Sequence, residues 1–168
     1  NTDNDEGTSA SGLTNQDDPK SMFALTDSAI NFMTTAVNNS QPFYVQISHY
    51  AVHSPTEATA FQISEYGSAT PGSNHDDPDY AAMTENLDSA VGLILAEVAN
   101  LGITGTTYII YTSDNGAAKS SSTNLPLSRG KTFIYEGGIR VPFIIQGPNI
   151  TANTRSDVAD GYQVIMRN

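Results

Sequence analysis

Two stretches of this chain open alike and lead into the same succession of patterns, which restricts its folds more than any other feature. Asp18-Pro19 and Asp77-Pro78 each pair a helix-capping acid with a proline suited to the first helical position. After the first come Met22, Leu25, Ala29, Phe32, Met33 and Ala36 at helical spacing, closed by Asn38-Asn39-Ser40. After the second come Tyr80, Met83, Leu87, Val91, Ile94, Leu95 and Val98, with Gly102 placed to end the helix. Short runs rich in β-branched and aromatic residues follow. Residues 43–47 predict a buried strand, 106–112 the strongest strand of the chain, and 141–145 another. Residues 49–77, broken by Pro55, Gly67, Pro71 and Gly72, read as irregular. Helix, strand, helix, strand, long loop, strand is the order of an α/β layer architecture, with helices packed on a largely buried sheet.

Composition narrows the partners. The 168 residues are enough for one domain with a real core. Eighteen acidic residues against seven basic ones give a net charge of −11, and no Lys/Arg cluster appears, so no nucleic-acid partner is expected. An anionic substrate would need a local pocket of positive charge or metal, working against the overall field. No apolar run approaches the roughly 18 residues of a membrane span, and no membrane partner is expected. The chain has no cysteine, so there is no disulfide framework. Its amino end is polar and begins without Met, which reads as a fragment of a longer protein. Residues 1–17 read as a polar loop.

Three segments can carry chemistry. Ser113-Asp114-Asn115-Gly116 directly follows the strongest strand, and ligands bind beyond the carboxyl ends of strands in open α/β sheets. The Asp114 carboxylate and the Asn115 carbonyl are hard oxygen donors suited to Ca²⁺ or Mg²⁺, although the same tetrapeptide is also ordinary turn chemistry. Arg129-Gly130-Lys131, with Tyr135-Glu136-Gly137-Gly138-Ile139-Arg140 beyond it, can form an oxyanion pocket in which Lys131 acts as a point charge, or a solvated loop. His53, before Ser54-Pro55, can donate to a substrate oxygen or shuttle a proton, or serve structure alone; His49 and His75 have weaker claims.

Taken together and in order, these segments resemble the sulfatase family. Pro42-Phe43-Tyr44 through Ala51-Val52-His53-Ser54-Pro55 is similar to one of its conserved runs. The helix from Tyr80 to Asp88, followed by Val91-Gly92, resembles the helix before its metal strand. Tyr111-Thr112-Ser113-Asp114-Asn115-Gly116 looks like its metal loop, and Gly130-Lys131 with Tyr135-Glu136-Gly137-Gly138-Ile139-Arg140-Val141-Pro142 like its longest signature. The likeness spans residues 18–148, with 149–168 diverging.

The resemblance implies an alkaline-phosphatase-like α/β sandwich around a mixed, largely parallel sheet, of which this chain is a partial domain. It implies hydrolysis of sulfate esters of a sulfated small molecule or polysaccharide, carbohydrate or aryl. The nucleophile would be a formylglycine, made from Cys or Ser in a Cys/Ser-x-Pro-x-Arg motif. By the same resemblance Asp114 and Asn115 would be Ca²⁺ ligands, with Mg²⁺ an alternative. Lys131 and His53 would bind sulfate and assist catalysis, and Glu136 and Arg140 would support them from behind. No such formylglycine motif occurs here, so the chain is expected to be inactive by itself, its nucleophile belonging to an amino-terminal segment. Thr132 departs from the glycine usual after the lysine. The family is largely periplasmic, secreted or lysosomal. Related phosphodiesterases or phosphonate monoester hydrolases, and a non-catalytic truncated product, are the competing readings.

Overall fold

The computed structural model describes residues 17–73, 75–120 and 123–151, so the expectations for residues 1–16 and for 152–168 lie outside the described residues. The element order is α1 (Met22–Asn38), α2 (Ala60–Gly67), α3 (Pro78–Asn100), β1 (Ile109–Thr112), α4 (Glu136–Ile139) and β2 (Phe143–Gln146). Contacts divide the chain into two compact units. One holds the chain to Leu101 together with 120–123; the other holds 102–119 and the chain from Asn124.

The first unit is helical. α1 begins at Met22 rather than beside Pro19, because Asp18 caps it from a distance. Its buried carboxylate accepts the N–H groups of Met22 (2.7 Å), Phe23 (2.8 Å) and Ala24 (2.9 Å), three of the four donors that a helix start leaves without partners. The second start matches its sequence pattern: Asp77 accepts from the Tyr80 N–H at 3.0 Å and Pro78 opens α3. Gly102 stands just past the end of α3 at φ 69, the left-handed conformation glycine adopts freely.

Met22, Phe23, Met83 and Ala90 form the buried centre, packed by Ala51, Val52, Ala58, Tyr80, Leu87 and Leu93. The buried stripes differ from those read by hydrophobicity. Phe23 and Thr26 are inside while Phe32 is 49% exposed, and on α3 the small residues Ala82 and Ala90 and the amide of Asn86 are inside. Small buried residues allow close helix approach, and a polar one is tolerated where it is satisfied.

Asn86 is satisfied by the helix that sequence patterning missed. Within the stretch read as irregular, Thr59 caps α2. Asn86 Oδ1 accepts the Thr59 N–H at 2.9 Å, and its Nδ2 donates to Gln62 Oε1 at 3.0 Å. The Thr59 hydroxyl also donates to Gln62 Oε1. An eight-residue helix with no buried residue of its own leaves little apolar periodicity to find.

The strand predicted over 43–47 is not a strand. Its exposure alternates as a strand's would, with Phe43, Val45 and Ile47 partly covered and Tyr44, Gln46 and Ser48 exposed, but among the described residues no ladder partner exists. Phe43 instead meets Phe32 edge to face at 6.3 Å.

His49, at the end of this stretch, lies beside Thr26. The Thr26 hydroxyl donates to the Met22 carbonyl at 2.8 Å, so at 3.2 Å His49 Nε2 is the donor to Thr26 Oγ1. Burial lowers the His49 pKa below its usual value, and the carboxylate of Asp18 opposes that shift only in part. A base whose folded pKa is depressed gives its full stability above the unfolded value near 6.5 and loses it as pH falls through the folded value. Thermal melts from pH 7.5 downward should therefore show a decline of at most about 1.4 kcal/mol per pH unit beginning near pH 6.5. His49→Gln should flatten that part of the profile; an identical profile in the variant would remove His49 from the account.

The second unit contains the sheet, and here the expectation of a mixed, largely parallel arrangement is not met among the described residues. β1 and β2 form an antiparallel pair in the register Ile109 with Gln146, Ile110 with Ile145, Tyr111 with Ile144 and Thr112 with Phe143. The chain between them turns back on itself, which only antiparallel pairing permits without a crossover. Because Thr112 faces Phe143, the loop leaving β1 lies beside the segment entering β2.

Candidate functional site

That register brings Ser113-Asp114-Asn115-Gly116 against the glycine-rich signature. The Gly116 N–H donates to the Gly138 carbonyl at 2.9 Å, and the Lys131 N–H donates to the Ala117 carbonyl at 3.0 Å. The Gly137 N–H donates to the Ser128 carbonyl at 2.8 Å, closing the third side. Three backbone segments thus meet edge to edge, which explains the glycines. A Cβ on Gly137 would lie 2.6 Å from the Ser128 carbonyl oxygen, and one on Gly138 would lie 2.6 Å from that of Gly130. Gly137 and Gly138 are buried within α4.

The structure brings Asp114, Asn115, Lys131, Glu136 and Arg140 into this one unit. His53 belongs to the other. Asp114 is exposed and stands two residues past the strand end at Thr112. Asn115 Oδ1 is buried and has no hydrogen-bond partner among the described residues. An acceptor withdrawn from water with nothing to accept costs on the order of 1–3 kcal/mol, and such an atom in a native structure calls for a cation or an unseen donor. Among the described residues no group of three or more His, Cys, Asp or Glu converges to hold a metal. Lys131 is partly buried. Glu136 and Arg140 pair with each other across α4 at 3.9 Å, both about half exposed, which is worth little in stability.

His53 is exposed and its contacts are local. Its N–H donates to the Tyr50 carbonyl at 2.9 Å, and its Nδ1 lies 2.7 Å from the Ser54 carbonyl. A carbonyl only accepts, so Nδ1 is the donor in this contact. Ala51 and Val52, packed on the core, anchor this loop.

Asn124 is a residue the sequence reading passed over. Its Oδ1 accepts the Ala117 N–H at 3.2 Å, while its Nδ2 donates to the carbonyls of Ala117 (2.9 Å) and Arg129 (3.2 Å). One side chain therefore ties the segment after Asp114-Asn115 to the segment that carries Lys131. The available signal was an amide in a loop five residues before Arg129, which is common and uninformative. Thr132, noted for standing where glycine is usual, has φ 77. A β-branched residue in that left-handed region is strained by about 1–2 kcal/mol, so the departure is real in the backbone as well as in the sequence.

A family model described as Sulfatase matches residues 1–163. The chain belongs to the sulfatase family. A sulfatase of Formosa agariphila is 30% identical over 148 residues, covering 80% of this chain and 27% of that protein. The N-acetylgalactosamine-6-sulfatase of Rattus norvegicus is 33% identical over 125 residues, covering 71% of this chain and 22% of its own length. Among solved structures, Ps i-CgsB in complex with k-i-k-neocarrahexaose superposes with a TM-score of 0.68 at 32% identity, over 76% of this chain and 28% of that one. This sulfatase chain thus spans about a quarter of the length of the relatives it matches. Among the described residues no helix is long and apolar enough to cross a membrane.

Proposed function

We propose that this chain forms part of an enzyme that hydrolyses sulfate esters, with a sulfated carbohydrate or aryl compound as substrate. One observation carries the reading: Asn115 Oδ1 stands buried and unpartnered beside Asp114, on a loop hydrogen-bonded to the segment that presents Lys131. The donor set fits a hard divalent cation. Asp114 and Asn115 would supply two of the six to eight oxygens that Ca²⁺ takes, Mg²⁺ being the narrower alternative. When bound, the cation would neutralise charge on the sulfate oxygens.

The chain's own residues then have separable tasks. The Lys131 ammonium holds a sulfate oxygen as a point charge, its backbone fixed by Ala117. A sulfate-ester contact for His53, in the other unit, rests on the family resemblance alone, its Nδ1 being held on the Ser54 carbonyl. Glu136 and Arg140 hold the turn of α4 and act on substrate only through it. The formylglycine expected of the family has no place in this sequence, so we infer that these residues bind the ester and do not turn it over by themselves. A carbohydrate substrate is favoured by the bound neocarrahexaose of one structural relative. A periplasmic, secreted or lysosomal setting follows from the family resemblance alone.

Calorimetry of the chain in calcium with para-nitrophenyl sulfate and para-nitrophenyl phosphate tests this. Binding of the sulfate ester is expected without release of nitrophenol, and Lys131→Ala should weaken it at least tenfold, as loss of a charge-assisted contact does. Preference for the phosphate ester would favour a phosphodiesterase or phosphonate hydrolase. Equal binding by Lys131→Ala would remove the lysine from the site.

A further inference from the structure

Among the described residues the guanidinium of Arg129 makes no ion pair with a carboxylate. Arg129 stands at φ 66, a left-handed conformation that a residue with a side chain adopts only under constraint. Its guanidinium carbon lies 5.1 Å from the centroid of the Phe133 ring and 5.8 Å from that of Tyr135. It is exposed, and among the described residues neither ion pair involves it. Ring faces attract a guanidinium through its charge and orient it, but they satisfy none of its five N–H donors. The result is a planar fork held in place and open to a ligand.

Its surroundings set the sign of that ligand. The chain as a whole is acidic, yet in the second unit the described cations Lys119, Arg129, Lys131 and Arg140 outnumber the carboxylates Asp114 and Glu136. Lys119 and Arg129 both border Gly130: the Lys119 stem comes within 3.6 Å of where a Gly130 Cβ would stand, and Asn124 grips the Arg129 carbonyl. Arg129 and Lys131 are two residues apart, so their Cα atoms are separated by at most about 7 Å. Two cations of different geometry, a point charge and a fork, therefore stem from neighbouring points of one loop. Phe133 and Tyr135 also keep about half of their surface exposed, 44% and 54%, flat apolar area against which a sugar ring can lie.

We propose that Arg129, held on Phe133 and Tyr135, recognises a second anionic group of an extended substrate: a sulfate or carboxylate on a sugar neighbouring the one whose ester Lys131 binds. The proposal rests on the sulfate-ester reading and deepens it. It makes Arg129 a specificity residue, needed for an oligosaccharide with several anionic groups and dispensable for a single small ester.

The test compares two ligands by calorimetry on the chain in calcium: a hexasaccharide bearing several sulfate esters, and para-nitrophenyl sulfate, which bears one. Arg129→Gly is the variant of choice, because glycine accepts the backbone conformation at position 129 while the fork is removed. It is expected to weaken hexasaccharide binding about tenfold and to leave the small ester within about twofold. Arg129→Lys should restore only part of the loss, since an ammonium cannot make the paired contact. Unchanged hexasaccharide binding by Arg129→Gly overturns the proposal. Equal loss for both ligands also overturns it, making Arg129 a support of the Lys131 loop. If the unaltered chain binds neither ligand, the sulfate-ester reading fails and the proposal falls with it.

Discussion

Gly138→Ala is expected to destabilise the second unit by about 3 kcal/mol, the upper end of what overpacking usually costs. The reason is the nature of the obstacle. A Cβ at 138 meets the carbonyl oxygens of Phe133 and Gly130, and neither is the far end of a flexible side chain. The Gly130 carbonyl is already engaged in the turn, since it accepts the Phe133 N–H at 3.1 Å, so it can move only if the turn opens. The damage should reach the Asp114 loop, because the Gly138 carbonyl accepts the Gly116 N–H. Amide hydrogen exchange gives the readout: protection at Gly116 and Lys131 should fall together, while α3 in the other unit keeps its own. Gly92→Ala is the control. Nothing lies within 4 Å of a Cβ there, and replacing a helical glycine should raise stability by about 1 kcal/mol. Gly138→Ala with the stability and exchange of the unaltered chain would show that the close approach does not constrain the loop.

This dependence on backbone contact explains which parts of the structure could be read from the sequence. The start of α3 was legible because its signals are local: Asp77 and Pro78 are adjacent to the helix they begin. The start of α1 was legible only in part, since Asp18 reaches past Ser21 to amides four to six residues on, and no pattern of neighbours announces that geometry. α2 escaped because it is held by polar contacts from Asn86, far along the chain, and not by an apolar stripe. Residues 43–47 show the converse failure. Their alternation is present, but a strand is defined by its partner, and periodicity describes only one side of a ladder. The antiparallel sense of β1 and β2 was likewise invisible, because the turning back of 113–142 depends on carbonyl contacts among Gly116, Gly130, Gly137 and Gly138.

The site follows the same division. Asp114, Asn115 and Lys131 were found as residue types in a familiar order, and the structure sets them in one hydrogen-bonded frame. Asn124, which ties that frame together, gave no signal because its importance lies in what it reaches, and Arg129 was legible as a cation beside Lys131 but not as one poised on two rings. The strain at Arg129 and Thr132 is informative for that reason. Left-handed conformations at two non-glycine positions flanking Lys131 persist only where the surrounding contacts demand them.

Asn115→Leu should separate stability from function with opposite signs. Without calcium the variant is expected to be more stable than the unaltered chain by about 1–2 kcal/mol, because leucine has nearly the shape of asparagine and removes the buried acceptor that nothing satisfies. On adding calcium the order should reverse. The unaltered chain gains stability in proportion to the logarithm of the cation concentration above its dissociation constant, about 2.7 kcal/mol at a hundredfold excess. Asn115→Leu gains nothing. Asp114→Ala gives the third point: Asp114 is exposed, so its removal should leave the calcium-free melt nearly unchanged while abolishing the calcium response. With two protein side chains as donors, the affinity should fall near the weak end for protein calcium sites, about 0.1–1 mM. Melting curves across a calcium titration of the three proteins decide the matter. A less stable Asn115→Leu would mean that Oδ1 already has a donor, and an unresponsive unaltered chain would mean that Asp114 and Asn115 do not hold the ion. The reversal is the informative outcome, because a residue kept only for the fold has no reason to cost stability when its ligand is absent.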